Sequence, residues 1–115
     1  MNLPWWWPFG RVPEIAPRAL AEELAVQPPQ LVDVRTPAEF AAGHIAGAIN
    51  VPIYELATRL PSMALDPTRP VVAVCLTGHR SVPAVRLLAG RGFQVRQLAG
   101  GMTAWWRARL PDVKG

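Results

Sequence analysis

In VVAVCLTGHRS, residues 71–81, a cysteine and an arginine bracket a six-residue span with a glycine inside it. The apolar run Val71 to Val74 has the composition of a buried parallel strand, and it runs straight into Cys75. The loop Leu76 to Arg80 follows, and a helix is expected from about Ser81 to Ala89. In open α/β sheets, ligands gather at the carboxyl ends of the strands. The first turn of a helix presents unpaired amides and a partial positive charge, which together attract an anion. A curled loop adds inward-pointing N–H groups, a nest, and Arg80 adds a positive charge at the rim. Thiols in such surroundings titrate at about 3.5–7.5. Cys75 is therefore expected to be ionised and nucleophilic near neutral pH. A lone cysteine at a strand end is more often a small core residue. The glycine-bearing loop between it and Arg80 suggests no obvious packing purpose, and this turns the reading toward chemistry.

The rest of the chain narrows that chemistry. Cys75 is the only cysteine in 115 residues, so an internal disulfide is excluded and a cysteine-based zinc site is not expected. No metal or organic cofactor is called for. Half of the residues are apolar, as a globular domain requires. The net charge is +4, carried almost wholly by arginines scattered from Arg11 to Arg109, with Lys114 the single lysine. No basic run with interleaved aromatics stands out, so nucleic acid is not an expected partner. A mildly basic surface suits a small anion or an acidic partner. No stretch reaches the length of a membrane span, and the start lacks the pattern of a signal peptide. The chain reads as cytoplasmic.

The elements that must position Cys75 alternate along the chain. Residues 1–11 form a Trp/Pro-rich tail, 12–111 a single domain and 112–115 a C-terminal tail. Val12 to Ile15 is a candidate edge strand. Pro17 opens a helix with Leu20, Ala21 and Leu24 on one face, ended by Pro28 and Pro29. Leu31 to Val34 reads as a buried strand. Thr36 to Glu39, TPAE, is a capping box with proline at the first helical position. A short strand is expected near Ala48 to Asn50, and a helix from Ile53 to Leu60 that Pro61 stops. In the helix after the loop, Val82, Val85, Leu88 and Ala89 form the expected buried face. Phe93 to Leu98 is a further strand. Gly100 and Gly101 turn the chain into a last helix, Met102 to Leu110. The alternation predicts an α/β fold with about five mostly parallel strands and helices on both faces. Trp5, Trp6 and Trp7 stand between Pro4 and Pro8. Fold-back over an apolar patch, or contact with a partner, is favoured over a membrane interface, because flanking charge is sparse.

Three blocks in order resemble the single-domain rhodanese, or thiosulfate sulfurtransferase, family: LVDVRTPAEFAAGHIAGAINVP (31–52), CLTGHRS (75–81) and GFQVRQLAGGMTAW (92–105). The resemblance covers about residues 12 to 111. It implies that Cys75 carries a persulfide and that Arg80 closes the loop. It also implies that the backbone of Leu76, Thr77, Gly78, His79 and Arg80 cradles the sulfur, with Ser81 beside it. Asp33 and Arg35 match a pair expected to support the site from the neighbouring strand end, or to be a structural ion pair. Related phosphatases and arsenate reductases use one more loop residue, so the shorter CLTGHR span favours sulfur over phosphorus. Leu76 departs from the pattern, since a basic residue is frequent there. His79 is expected at the rim, His44 as a hydrogen-bonding scaffold, and Trp105 and Trp106 as packing residues.

The resemblance implies a donor that is a small sulfur-containing anion or a persulfide, and a thiol or cyanide acceptor. With no second cysteine, the acceptor must be external. The alternatives are a protein-to-protein sulfur carrier, to which Leu76 and the tryptophans would offer an apolar rim, and a non-catalytic rhodanese-like interaction module.

Overall fold

The computed structural model describes residues 4–7 and 10–115. Residues 1–3 and 8–9 of the expected N-terminal tail lie outside the described residues. Five strands, β1 (Glu14–Ile15), β2 (Gln30–Asp33), β3 (Ile49–Asn50), β4 (Val71–Val74) and β5 (Val95–Leu98), form one sheet in the order β1-β5-β4-β2-β3. Every pairing is parallel, with β4 at the centre between β5 and β2. Among the described residues, α1 (Pro17–Val26), α2 (Pro37–Ala42), α3 (Ile53–Arg59) and α4 (Ser81–Gly90) connect successive strands, and α5 (Gly101–Arg107) follows β5.

The alternation of side chains along β4 divides the core into two layers. Val71, Ala73 and Cys75 face a cluster with Leu56 of α3 and Ala84, Val85, Leu87 and Leu88 of α4. Val72 and Val74 face the other side, with Leu20 of α1, Met102 and Trp105 of α5. All four β4 side chains are buried. This is why the strand reads as a continuous apolar run rather than an alternating one.

The expected elements are present, with shifted bounds. β5 begins at Val95 rather than Phe93, and α5 ends at Arg107 rather than Leu110. α3 ends at Arg59, capped by Leu60, so the α-helix stops before Pro61 as expected. Pro61 itself sits in a 3-10 turn, Leu60–Ser62, that continues α3, because proline is tolerated where its missing N–H has no partner to lose. Ala89 is exposed, and the buried face of α4 is completed by Ala84 and Leu87 instead. The capping box is complete: the Thr36 hydroxyl accepts from the Glu39 amide, and the Glu39 carboxylate accepts from the Thr36 amide. Trp5 is half-buried against the cluster that holds Cys75, while Trp6 is 57% and Trp7 38% exposed. Arg86 of α4 donates to the Trp7 carbonyl. Past α5, Val113 forms a two-bond antiparallel bridge with His44. Among the described residues, no helix is long and apolar enough to cross a membrane.

Candidate active site

Cys75 is the first residue beyond β4, at the carboxyl end of the central strand, and is almost fully buried. The chain turns back beneath it. Gly78, at φ +96°, takes a conformation that suits glycine. Its amide donates to Cys75 Sγ at 2.9 Å. Ser81 Oγ, at the first position of α4, lies 3.3 Å from the same sulfur. One amide and one hydroxyl thus converge on the thiol from a loop and a helix start.

The far wall comes from α5. Met102 N–H donates to the Cys75 carbonyl at 2.8 Å and Thr103 N–H to the Leu76 carbonyl at 2.9 Å. Gly101, at φ +62°, lies so close that a Cβ there would run into the Cys75 and Leu76 carbonyl groups. Gly101 therefore fixes the height of the loop as well as helping to turn the chain.

Arg80 is held by a residue distant in sequence. Its guanidinium donates to Glu39 Oε1 at 2.6 Å and to Oε2 at 2.8 Å. These bonds, with help from Thr36, hold the Glu39 carboxyl down at about 2 against the opposing effect of burial. Glu39 likewise raises the Arg80 value, with smaller contributions from the charges of Cys75 and Asp33. The positive charge expected at the rim is thus paired at its source.

Asp33 and Arg35 form a buried ion pair at the end of β2, 2.8 Å at its closest. Arg35 also donates to the carbonyls of Gly43 and Glu39. Among the described residues, the hydrogen bonds of this pair fix the α2 segment that presents Glu39, and none goes to Cys75. Thr77 and His79 are exposed on the loop and bonded to each other, Oγ1 to Nδ1, at 2.9 Å. Leu76 packs into the α1/α5 layer, so it is not the free apolar rim that the sequence suggested. His44 stacks on Phe40, with its Nδ1 2.8 Å from the Phe40 carbonyl. Trp105 is buried with its indole N–H on the Pro111 carbonyl, and Trp106 is partly exposed with its N–H on Asp112.

Sequence reasoning missed Glu39 and Gln97 as parts of the site. Glu39 was visible only as a helix cap, 41 residues from the arginine it holds. Gln97 accepts from the Ser81 hydroxyl at 2.5 Å, and its place on β5 carries no local motif that points to Cys75. Among the described residues, no group of His, Cys, Asp or Glu side chains could hold a metal ion.

A parallel sheet whose central strand ends at a cysteine, met there by the Gly78 amide and the Ser81 hydroxyl, defines an α/β domain with a candidate cysteine-centred site. The family model described as the rhodanese-like domain matches residues 16–108, and the chain belongs to that family. A "Sulfurtransferase" from Allochromatium vinosum is 39% identical over 104 residues, covering 89% of this chain and 95% of that one. An HTH-type transcriptional regulator from Mycobacterium tuberculosis is 45% identical over 87 residues, covering 74% of this chain but only 38% of the regulator. Among solved structures, a rhodanese-related protein from Thermoplasma volcanium superposes with a TM-score of 0.81 at 30% identity, covering 89% of this chain and 98% of that one.

Proposed function

We propose that this protein is a sulfurtransferase that carries sulfane sulfur on Cys75 from thiosulfate or a persulfide donor to a thiol or cyanide acceptor. The observation that carries the reading is the Gly78 amide aimed at Cys75 Sγ from a loop closed by Arg80 and Glu39. In the first half-reaction the Cys75 thiolate attacks the outer sulfur of thiosulfate. The new S–S bond forms as the old one breaks, and sulfite leaves with the bonding pair. The product is a Cys75 persulfide anion, which the loop amides stabilise as an oxyanion hole stabilises oxygen. In the second half-reaction an acceptor thiolate or cyanide takes the outer sulfur and returns Cys75 as the thiolate. Because Cys75 is the only cysteine, the acceptor comes from outside the chain. A reducing, cytoplasmic setting belongs to the same reading, since free thiol acceptors are abundant there.

The exposed Trp6 and Trp7, anchored beside Trp5, support a protein as one acceptor or donor. The same chemistry would then run as protein-to-protein sulfur carriage.

The test is the intact mass of the protein after incubation with thiosulfate, and separately with cysteine persulfide. A gain of about 32 Da in the wild type, absent in Cys75→Ser and removed by cyanide, is the expected result. Loading by cysteine persulfide alone would leave carriage and remove thiosulfate as donor. A wild type that neither reagent loads would overturn the reading.

A further inference from the structure

Behind Cys75 runs a line of polar side chains that the proposed reaction does not use. Ser81 Oγ is fully buried, 3.3 Å from Cys75 Sγ and 2.5 Å from Gln97 Oε1. Gln97 is itself buried, and its Nε2 donates to Glu14 Oε2 at 3.2 Å. Glu14 lies on the edge strand β1, exposed. The direction of this line follows from its outer end. A carboxylate only accepts, so Glu14 draws the Gln97 amide nitrogen toward itself and leaves Oε1 facing Ser81. Ser81 has one proton, and while the sulfur beside it is a thiol, which can itself donate to Ser81 Oγ, that proton goes to Gln97.

We propose that the Ser81 hydroxyl is a two-position switch, with Gln97 as the positioning residue that receives its proton whenever Cys75 carries sulfur. This rests on the sulfurtransferase reading above. In the persulfide the negative charge sits on the outer sulfur, and Sγ, bonded to carbon and sulfur, is a poor acceptor. The Ser81 proton then points to Gln97. When the outer sulfur leaves, the charge returns to Sγ, and the hydroxyl turns through its single rotor to donate to the thiolate. The switch stabilises the unloaded thiolate without stabilising the persulfide, so it biases the equilibrium toward release of sulfur. A hydrogen bond to a charged group of this kind corresponds to about a tenfold effect on that equilibrium.

The measurement is the fraction of persulfide at equilibrium, read by intact mass over a series of thiosulfate-to-sulfite ratios at fixed pH. Cysteine persulfide and cysteine replace that couple if thiosulfate does not load the wild type. In Ser81→Ala the thiolate loses its donor, and the half-loading ratio falls about tenfold. In Gln97→Leu the persulfide state loses the acceptor for the Ser81 proton, and the ratio moves the opposite way. Glu14→Lys, at an exposed position where folding is not at stake, offers only donors to Gln97 and so turns the amide to present Oε1 to residue 14. Its shift has the sign of Gln97→Leu. A merely structural role would alter loading rates but not move this equilibrium in opposite directions. Shifts of the same sign in Ser81→Ala and Gln97→Leu, or no shift in either, would overturn the switch. A wild type that loads with neither couple would instead overturn the sulfurtransferase reading beneath it.

Discussion

The amide of Met102 donates to the carbonyl oxygen of Cys75 at 2.8 Å, and the next amide, of Thr103, donates to Leu76 at 2.9 Å. The loop is therefore hydrogen-bonded from below by the start of α5 and from within by Gly78. The close approach depends on Gly101, which has no Cβ and a positive φ of +62°.

Gly101→Ala is expected to separate these two layers. The added methyl collides with the Cys75 and Leu76 carbonyls, and the left-handed backbone is strained for alanine. The cost in stability is about 1–3 kcal/mol. Persulfide formation should fall at least about tenfold, since displacement of about an ångström at a reacting group can cost more than that. Thermal melts and single-turnover loading check both. Loading at the wild-type rate would show that α5 does not set the loop.

The Glu39 carboxyl lies at about 2 when folded, against 4.5 for the free group. Between those values the unfolded chain binds a proton that the folded chain does not, so this contribution is complete above pH 4.5 and is lost as pH falls through about 2. Both partners are partly solvated, with Arg80 35% and Glu39 29% exposed, so the contribution is held to about 1 kcal/mol or less. Urea titrations at neutral pH and through the acid range should show this slope in the wild type and its reduction in Glu39→Gln. The same variant releases Arg80 and should lower kcat/KM several-fold. Equal acid slopes in the two proteins would remove the pair as their source.

Arg35→Met leaves Asp33 buried without its cation and removes the bonds to Gly43 and Glu39. Breaking one side of a buried pair costs about 3–5 kcal/mol. The double variant Asp33→Asn with Arg35→Met should be less damaged than the sum of the singles. A denaturant double-mutant cycle measures the difference.

Trp5→Ser should destabilise the domain by about 1–2 kcal/mol, because its half-buried ring covers the cluster behind Cys75. Trp6→Ser, at a mostly exposed ring, should stay within about 0.5 kcal/mol. Chemical denaturation compares them. If Trp6→Ser spares stability but slows discharge to a protein acceptor, the exposed ring acts in docking.

Much of the frame was legible because local patterns carried it. VVAV is apolar at every position since β4 is covered on both faces, and TPAE contains its whole cap within four residues. What the sequence concealed are relations across long separations. Nothing near Arg80 marks Glu39 as its partner, and nothing near Ser81 marks Gln97. Leu76 looked like a rim residue by its place beside the cysteine, but alternation past the end of β4 turns it into the layer opposite to that of Cys75. Pro61 marked the end of α3, while the 3-10 turn that carries the chain on through Ser62 had no local signal.

The support beneath Cys75 has a consequence for the order in which the molecule is made. The amides that hold the Cys75 and Leu76 carbonyls belong to residues 102 and 103, and the acceptor for Ser81 belongs to β5. All of them follow the cysteine in the chain. While synthesis runs from the N-terminus, β2, α2 and β4 are complete before any of these supports exists. Until the last strand and helix dock, the loop that follows the cysteine has no floor beneath it. A chain stalled before Gly101 would then leave the Cys75 and Leu76 carbonyls without their donors, so the loop around the thiol would be slack although α3 and α4 already pack against the cysteine side chain.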